Sequence, residues 1–386
     1  MKLYNETHIE ERDLLRQVEQ WQTQGMVTPE QVTAIKAAYP RRFKLTNPFI
    51  DIGLFLFTIL AVMSAYGLAT TVLTGADYGA AGLGVISLLF GAGLLFFTKN
   101  LVQNSNLCRN GVDNALVMLV PLFVTGGLIL LFPVTPPFWV CCLIALPFLL
   151  ATIWYTGDTI LTYFALFAFY GALFFRLIDY GWGKQLMPFI LMAISTGLFL
   201  TAQRLPGSAY YDDVLSQLRW TSLVILAAAG NYFVVRELNG LLAEGNHRES
   251  PEIPLRELFW ATTFGIPLLY TVLGFRQKSR MFIILAVLGL AGAAVTVRHY
   301  YGSWPLSVAL AIDGVVLLGL AILAIRLLRA PRYGFSDADD GEAPLLVVRH
   351  AGTLTALQGT ANAQQHPAGP RFGGGDFGGG GAGEAY

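Results

Sequence analysis

The chain has 386 residues, of which 54% are hydrophobic and only 13% charged, with a mean hydropathy of +0.55. That composition is too apolar for an ordinary soluble globular protein and excludes a disordered, collagenous or disulfide-scaffold chain, so the bilayer is the solvent to reason about. Lysine plus arginine total 25 and aspartate plus glutamate total 25, which leaves no basic field for nucleic acid and disfavours a DNA or RNA role.

The first 48 residues are polar and lack a basic start followed by a short apolar core, so no cleaved signal peptide is expected. Residues 6–23 place Leu14, Leu15, Val18 and Trp21 on one helical face, and residues 29–39 do the same with Val32, Ile35 and Tyr39. Between them Gly25 can end the first helix, Thr28 is an N-cap, Pro29 suits the first helical position and Gln31 completes a capping box. The spacing predicts a helical hairpin over residues 1–48. It is too small to bury much core alone and must dock on the membrane domain, on itself in a dimer, or on another protein. A helix-turn-helix DNA reader is disfavoured, because the second helix offers only Lys36, with Arg41 and Arg42 beyond its end.

The stretch Leu14-Leu15, Trp21, Gly25-Met26-Val27-Thr28-Pro29-Glu30-Gln31, Ile35 and Tyr39, followed by a train of apolar helices, resembles the N-terminal signature of a family of bacterial multi-pass membrane proteins of unknown function. The motif covers about 40 residues and the rest of the similarity is hydropathy. The resemblance implies a bacterial inner-membrane protein and carries no catalytic residues over to this chain.

From Phe49 onward ten apolar runs, each long enough to cross roughly 30 Å of hydrocarbon, read as 49–72, 78–98, 112–132, 137–155, 158–179, 186–202, 219–236, 255–275, 280–297 and 304–327. Only Thr156-Gly157-Asp158 divides the fourth from the fifth and the sixth is short, so eight or nine spans fit the same hydropathy. With the N-terminus inside, the cytoplasmic segments hold thirteen lysines and arginines and the opposite side six, which predicts both termini cytoplasmic. Trp139, Trp182, Trp220 and Trp304 fall near span ends, as an interfacial aromatic belt requires.

Ionisable residues inside spans are costly and are the default places to look for function. Asp313 lies nine residues past Trp304, near the midplane of the tenth span, where it would lock helix packing or carry an ion or proton path. Arg176 and Asp179 share a helix face near the outer end of the fifth span and read first as a local ion pair. Asn231 in the seventh span can bridge helices or, with Tyr232, line a cavity. Asp51, Asp113 and Asp158 stand at span starts and suit capping or snorkelling.

Pro121 and Pro267 are candidate helix-break positions in the third and eighth spans, and each opens a Pro-Leu-x-x-Thr pattern. Those two spans are equivalent if the bundle is two inverted repeats of five, a plan of secondary transporters, although three shared residues in one window are readily produced by chance. Gly91-Ala-Gly93, Gly126-Gly127 and Gly289-x-x-Gly292 are ordinary close-packing positions.

Cys141 and Cys142 are neighbours whose helical side chains point about 100° apart, Cys108 stands alone in a polar loop, and five histidines are scattered without ligand spacing. No disulfide, metal site or cofactor is expected. No span carries a metal-protease, nucleophile-elbow or phosphate-loop pattern, so an enzyme is not expected either. After Arg332 the composition turns acidic and then Gly-rich, ending Phe372-Gly-Gly-Gly-Asp-Phe377-Gly-Gly-Gly-Gly-Ala-Gly-Glu-Ala-Tyr386, which predicts a disordered tail.

Together these features predict an all-α, polytopic transmembrane helical bundle of about ten spans over 49–327, with a cytoplasmic helical hairpin over 1–48 and a disordered cytoplasmic tail over 328–386. The expected role is that of a non-enzymatic inner-membrane protein acting through its cytoplasmic ends, with the lipid bilayer and a protein at the hairpin or tail as partners. The alternative is a secondary transporter of a small solute, proton-coupled through Asp313.

Overall fold

The computed structural model describes residues 2–23, 26–39, 48–74, 79–105, 107, 109–180, 182–242, 250 and 252–302, with isolated positions between 308 and 326. Cys108, Asp313, most of the predicted tenth span and the predicted Gly-rich tail lie outside the described residues. Among the described residues the chain forms twelve helices and no strand.

Two helices precede the first long apolar one. Helix α1 spans Glu6–Thr23 and α2 spans Pro29–Ala38. The Gln31 backbone N–H donates to Thr28 Oγ1 at 3.3 Å and the Thr28 N–H donates to Gln31 Oε1 at 2.9 Å, so the capping box closes in both directions. Leu14 and Val18 of α1 pack on Val32 and Ile35 of α2, with Trp21, Val27 and Tyr39 around them. Lys36 ties the pair from outside through Glu19 at 2.9 Å.

The long helices follow as α3 Pro48–Thr74, α4 Ala80–Ser105, α5 Gly111–Leu130, α6 Phe138–Thr156, α7 Thr159–Ile178, α8 Gly183–Arg204, α9 Asp212–Ala229, α10 Tyr232–Leu242, α11 Arg256–Gln277 and α12 Arg280–Tyr301. Eight of the described helices are long and apolar enough to cross a membrane, and α9 with α10 adds a ninth crossing if the bent pair counts as one. Phe57, Phe96, Trp154, Phe167 and Leu268 all face outward, an apolar surface that water would not tolerate but lipid would. The array fits an integral, multi-pass membrane protein.

Helix packing is set by small residues. An added Cβ at Gly84 would stand 2.8 Å from the Gly127 carbonyl, and one at Gly127 would stand 2.8 Å from the Gly84 carbonyl, so α4 and α5 meet backbone to backbone. In the other half, Gly289 of α12 lies against the Pro267 ring of α11, where a Cβ would be 2.7 Å from Cγ. Helix α3 sits at the edge, touching α5 and α4 through Ile59, Val62 and Tyr66.

The seventh predicted span, 219–236, is not one straight crossing. The helix begins at Asp212, ends at Ala229, and continues as α10 after a bend of 74°. Gly230 has low helix propensity, and Asn231 Oδ1 accepts from the Val234 N–H at 3.2 Å, which starts a new helix in place of the old one. Threonines of α11 take up the freed backbone: Thr262 Oγ1 donates to the Gly230 carbonyl at 2.7 Å, and Thr263 Oγ1 accepts from the Tyr232 N–H at 2.9 Å. By contrast, α5 and α11 run uninterrupted through Pro121 and Pro267. The Thr271 hydroxyl donates to the Pro267 carbonyl at 2.9 Å, and Thr125 does the same for Pro121.

Candidate functional site

The ends of the bundle alternate, and the α4–α5, α6–α7 and α8–α9 connections gather at one of them, called here the near end. The site there is built on Asp113. Asn110 is the N-cap of α5; its Oδ1 accepts from the Val112 N–H at 3.0 Å and the Asp113 N–H at 3.3 Å. Asp113 returns the bond, Oδ1 accepting from the Asn110 N–H at 2.7 Å. Its other oxygen accepts from the Arg109 N–H at 2.8 Å and from the Tyr4 hydroxyl at 2.7 Å. The carboxylate is fully buried, at a helix N-terminus, with donors on both oxygens.

Arg109 clamps the three connections to one another. Its backbone is left-handed, φ 51°. Nη1 donates to Asp213 Oδ2 at 3.0 Å, and Nη2 donates to the Gly157 carbonyl at 2.8 Å and the Tyr210 carbonyl at 2.7 Å. Gly157 closes α6 at φ 63°, and a Cβ there would lie 2.5 Å from the Tyr210 carbonyl, so both backbone angle and space require glycine. Asp158 then caps α7 by accepting from the Leu161 N–H at 3.0 Å. Burial pushes the Asp158 carboxyl above its usual range, against the backbone bonds from Leu161 and Ile160 and the Arg109 charge, which pull it down.

The N-terminal segment enters this cluster. The Leu3 N–H donates to the Tyr155 carbonyl at 2.9 Å, and the same carbonyl accepts from the Tyr210 hydroxyl at 2.6 Å. Leu3, Tyr4 and Ile9 are buried in one core with Val117 of α5, Ile153 of α6 and Leu161 of α7. Lys2 lies over the Tyr210 and Tyr211 rings at 4.4 and 4.6 Å. Burial holds the Tyr210 phenol far above its ordinary range, so it stays a donor at all physiological pH. The arrangement is a joint: it fixes the chain before α1, and the first turn of α1, against α5, α6 and α7.

The residues singled out in the sequence lie elsewhere. Arg176 and Asp179 form a local ion pair of 3.6 Å at the opposite, far end, both half exposed, with the Arg176 guanidinium also over the Trp139 and Tyr180 rings. Asn231 marks the break after α9, and its Oδ1 accepts from Thr296 Oγ1 of α12 at 3.1 Å. No hydrogen bond or ion pair joins Arg176 or Asp179 to Asn231 among the described residues. Among those residues no group of three His, Cys, Asp or Glu side chains could hold a metal ion.

Sequence reasoning placed Asp113 and Asp158 as caps but missed Tyr4, Arg109 and Tyr210 as their partners. The Asn110-x-x-Asp113 spacing is a legible capping signal; the contacts from distant segments are not. Comparison of the chain with protein-family models, curated proteins and solved structures returns no match.

Proposed function

We propose that this is a bacterial inner-membrane protein of the family its N-terminal signature resembles, and that α1 and α2 form a cytoplasmic interaction or regulatory module seated on the near end of the bundle. The observation that carries the reading is the burial of Leu3, Tyr4 and Ile9 in the same core as α5, α6 and α7. A binding event on α1 or α2 therefore pulls on residues that share a core with these three helices. The excess of lysine and arginine in the near-end segments supports a cytoplasmic location for this module. Both oxygens of Asp113 and both terminal nitrogens of Arg109 are spent on bonds within the protein, which favours a mechanical role over a chemical one, although Arg109 Nε and Asn114 Oδ1 are buried without a partner among the described residues.

Site-specific photo-crosslinking in cells tests the reading. A photoreactive residue at Ala34 or Ala37, both exposed on α2, is expected to trap a discrete partner, and undocking the segment with Leu3→Asp is expected to change the yield. If neither position traps anything, and deletion of residues 1–44 leaves abundance and phenotype intact, the module has no such role.

A small-solute carrier is the second reading, and the broken α9–α10 span is the feature it shares with such proteins. Thr262, Thr263 and Thr296 occupy the groups that a solute would use at that break. Its test is Asp313→Asn, which must abolish uptake in a folded protein if a proton path runs through that residue.

A further inference from the structure

Beneath α10 lies a cavity of about 130 Å³ between α8, α9 and α10. Helix α10 turns away from α9 by 74° at the far end of the bundle, as a helix lying along a membrane surface does. Its Val234, Val235, Leu238 and Leu242 follow amphipathic spacing, and all four line the cavity. The opposite face is pinned: Glu237 accepts from the Tyr300 hydroxyl at 2.7 Å and from Ser250 Oγ at 2.6 Å, while Arg236 donates to the Ser250 carbonyl at 3.0 Å. The apolar face is thus held as a roof.

The chamber has a polar end and an apolar end. Lys184 and Asn239 stand at one, and Leu191 and Ile225 at the other. Leu191 is two turns beyond Lys184 along α8, which places it about 10 Å deeper. Lys184 Nζ donates to the Leu242 carbonyl at 3.2 Å, and among the described residues no carboxylate pairs with it. A part-open space of this size with a mainly apolar lining suits a short hydrocarbon segment. The ammonium at its mouth selects one with a negative head.

We propose that the cavity takes the few carbons nearest the head group of one acyl chain of an anionic glycerophospholipid from the far leaflet, its phosphate against Lys184. An ammonium at the mouth of a space between helices attracts an anionic head group, and the surrounding leaflet places lipid directly against it. The site is independent of the N-terminal module and stands on the spanning helices alone.

The test uses the full chain in nanodiscs of equal parts phosphatidylglycerol and phosphatidylcholine, with retained lipids counted by native mass spectrometry. The wild type is expected to retain one phosphatidylglycerol with an enrichment of about fivefold, the weight of one lysine against an anionic head group. Lys184→Gln is expected to keep the lipid count and lose the enrichment. Ala228→Phe, which fills the cavity, is expected to lose the retained lipid. Equal retention of the two lipids by the wild type, unchanged enrichment in Lys184→Gln, or unchanged retention in a folded Ala228→Phe each overturns the proposal. If Ala228→Phe does not fold, the Lys184→Gln comparison decides alone.

Discussion

The Tyr4 hydroxyl donates to Asp113 Oδ2 at 2.7 Å across 109 residues of chain, joining the segment before α1 to the first turn of α5. Because Asp113 is wholly buried, Tyr4 is one of few groups that can satisfy that oxygen. Tyr4→Phe keeps the ring and its packing and removes only the donor. The expected cost is about 1–3 kcal/mol, all of it in docking of the N-terminal segment. Limited proteolysis of membrane vesicles should remove the N-terminal segment several times faster in the variant. Cutting at the wild-type rate would mean that Leu3 and Ile9 alone hold the segment.

Arg109 and its carboxylate partner should respond unequally to substitution. The guanidinium is almost buried, with 9% of the side chain exposed, whereas Asp213 is 61% exposed. Asp213→Asn therefore loses a screened pair and should cost under about 1 kcal/mol. Arg109→Ala strands the buried carbonyls of Gly157 and Tyr210, at about 1–3 kcal/mol each. Thermal unfolding in detergent should show a large drop for the arginine variant and a small one for the aspartate variant. Equal drops would show that the ion pair, not the carbonyl clamp, matters.

Two glycines make a paired test of backbone against space. Gly157→Ala meets both the positive φ and the Tyr210 carbonyl, and should destabilise by more than about 1 kcal/mol. Gly126→Ala meets nothing within 4 Å, inside α5, and should be neutral or stabilising by up to about 1 kcal/mol. Melting temperatures moving in the same direction and by the same amount would contradict the close approach at Gly157.

Much of the architecture was legible because a span must be apolar over its whole length, and Phe49–Leu73 or Arg280–Tyr301 announce themselves in that way. The α2 start was equally readable, since Thr28, Pro29 and Gln31 act within three residues of one another. The break at Gly230–Asn231 was not, because hydropathy runs on through it. What stabilises the break comes from Thr262, Thr263 and Thr296, as much as 65 residues away. The Tyr4–Asp113 and Arg109–Tyr210 contacts are hidden for the same reason: long-range pairing leaves no period in a single sequence. Nor does any residue type announce the left-handed backbone of Arg109.

Asp158 supplies a pH dependence of definite sign. Burial raises its folded-state titration above the unfolded value of 3.8, so the fold disfavours the charged form. Its contribution is nil below the unfolded titration, becomes steadily more unfavourable as pH rises from there to the raised value, and is constant above it. Asp158→Asn keeps an oxygen to accept from the Leu161 N–H and carries no charge. The melting temperature of the variant minus that of the wild type should therefore increase from about pH 4 toward neutrality and then level off. A difference that falls over the same range would mean that attraction to Arg109 outweighs burial, and that the clamp draws on the Asp158 charge as well as on the carbonyls it grips.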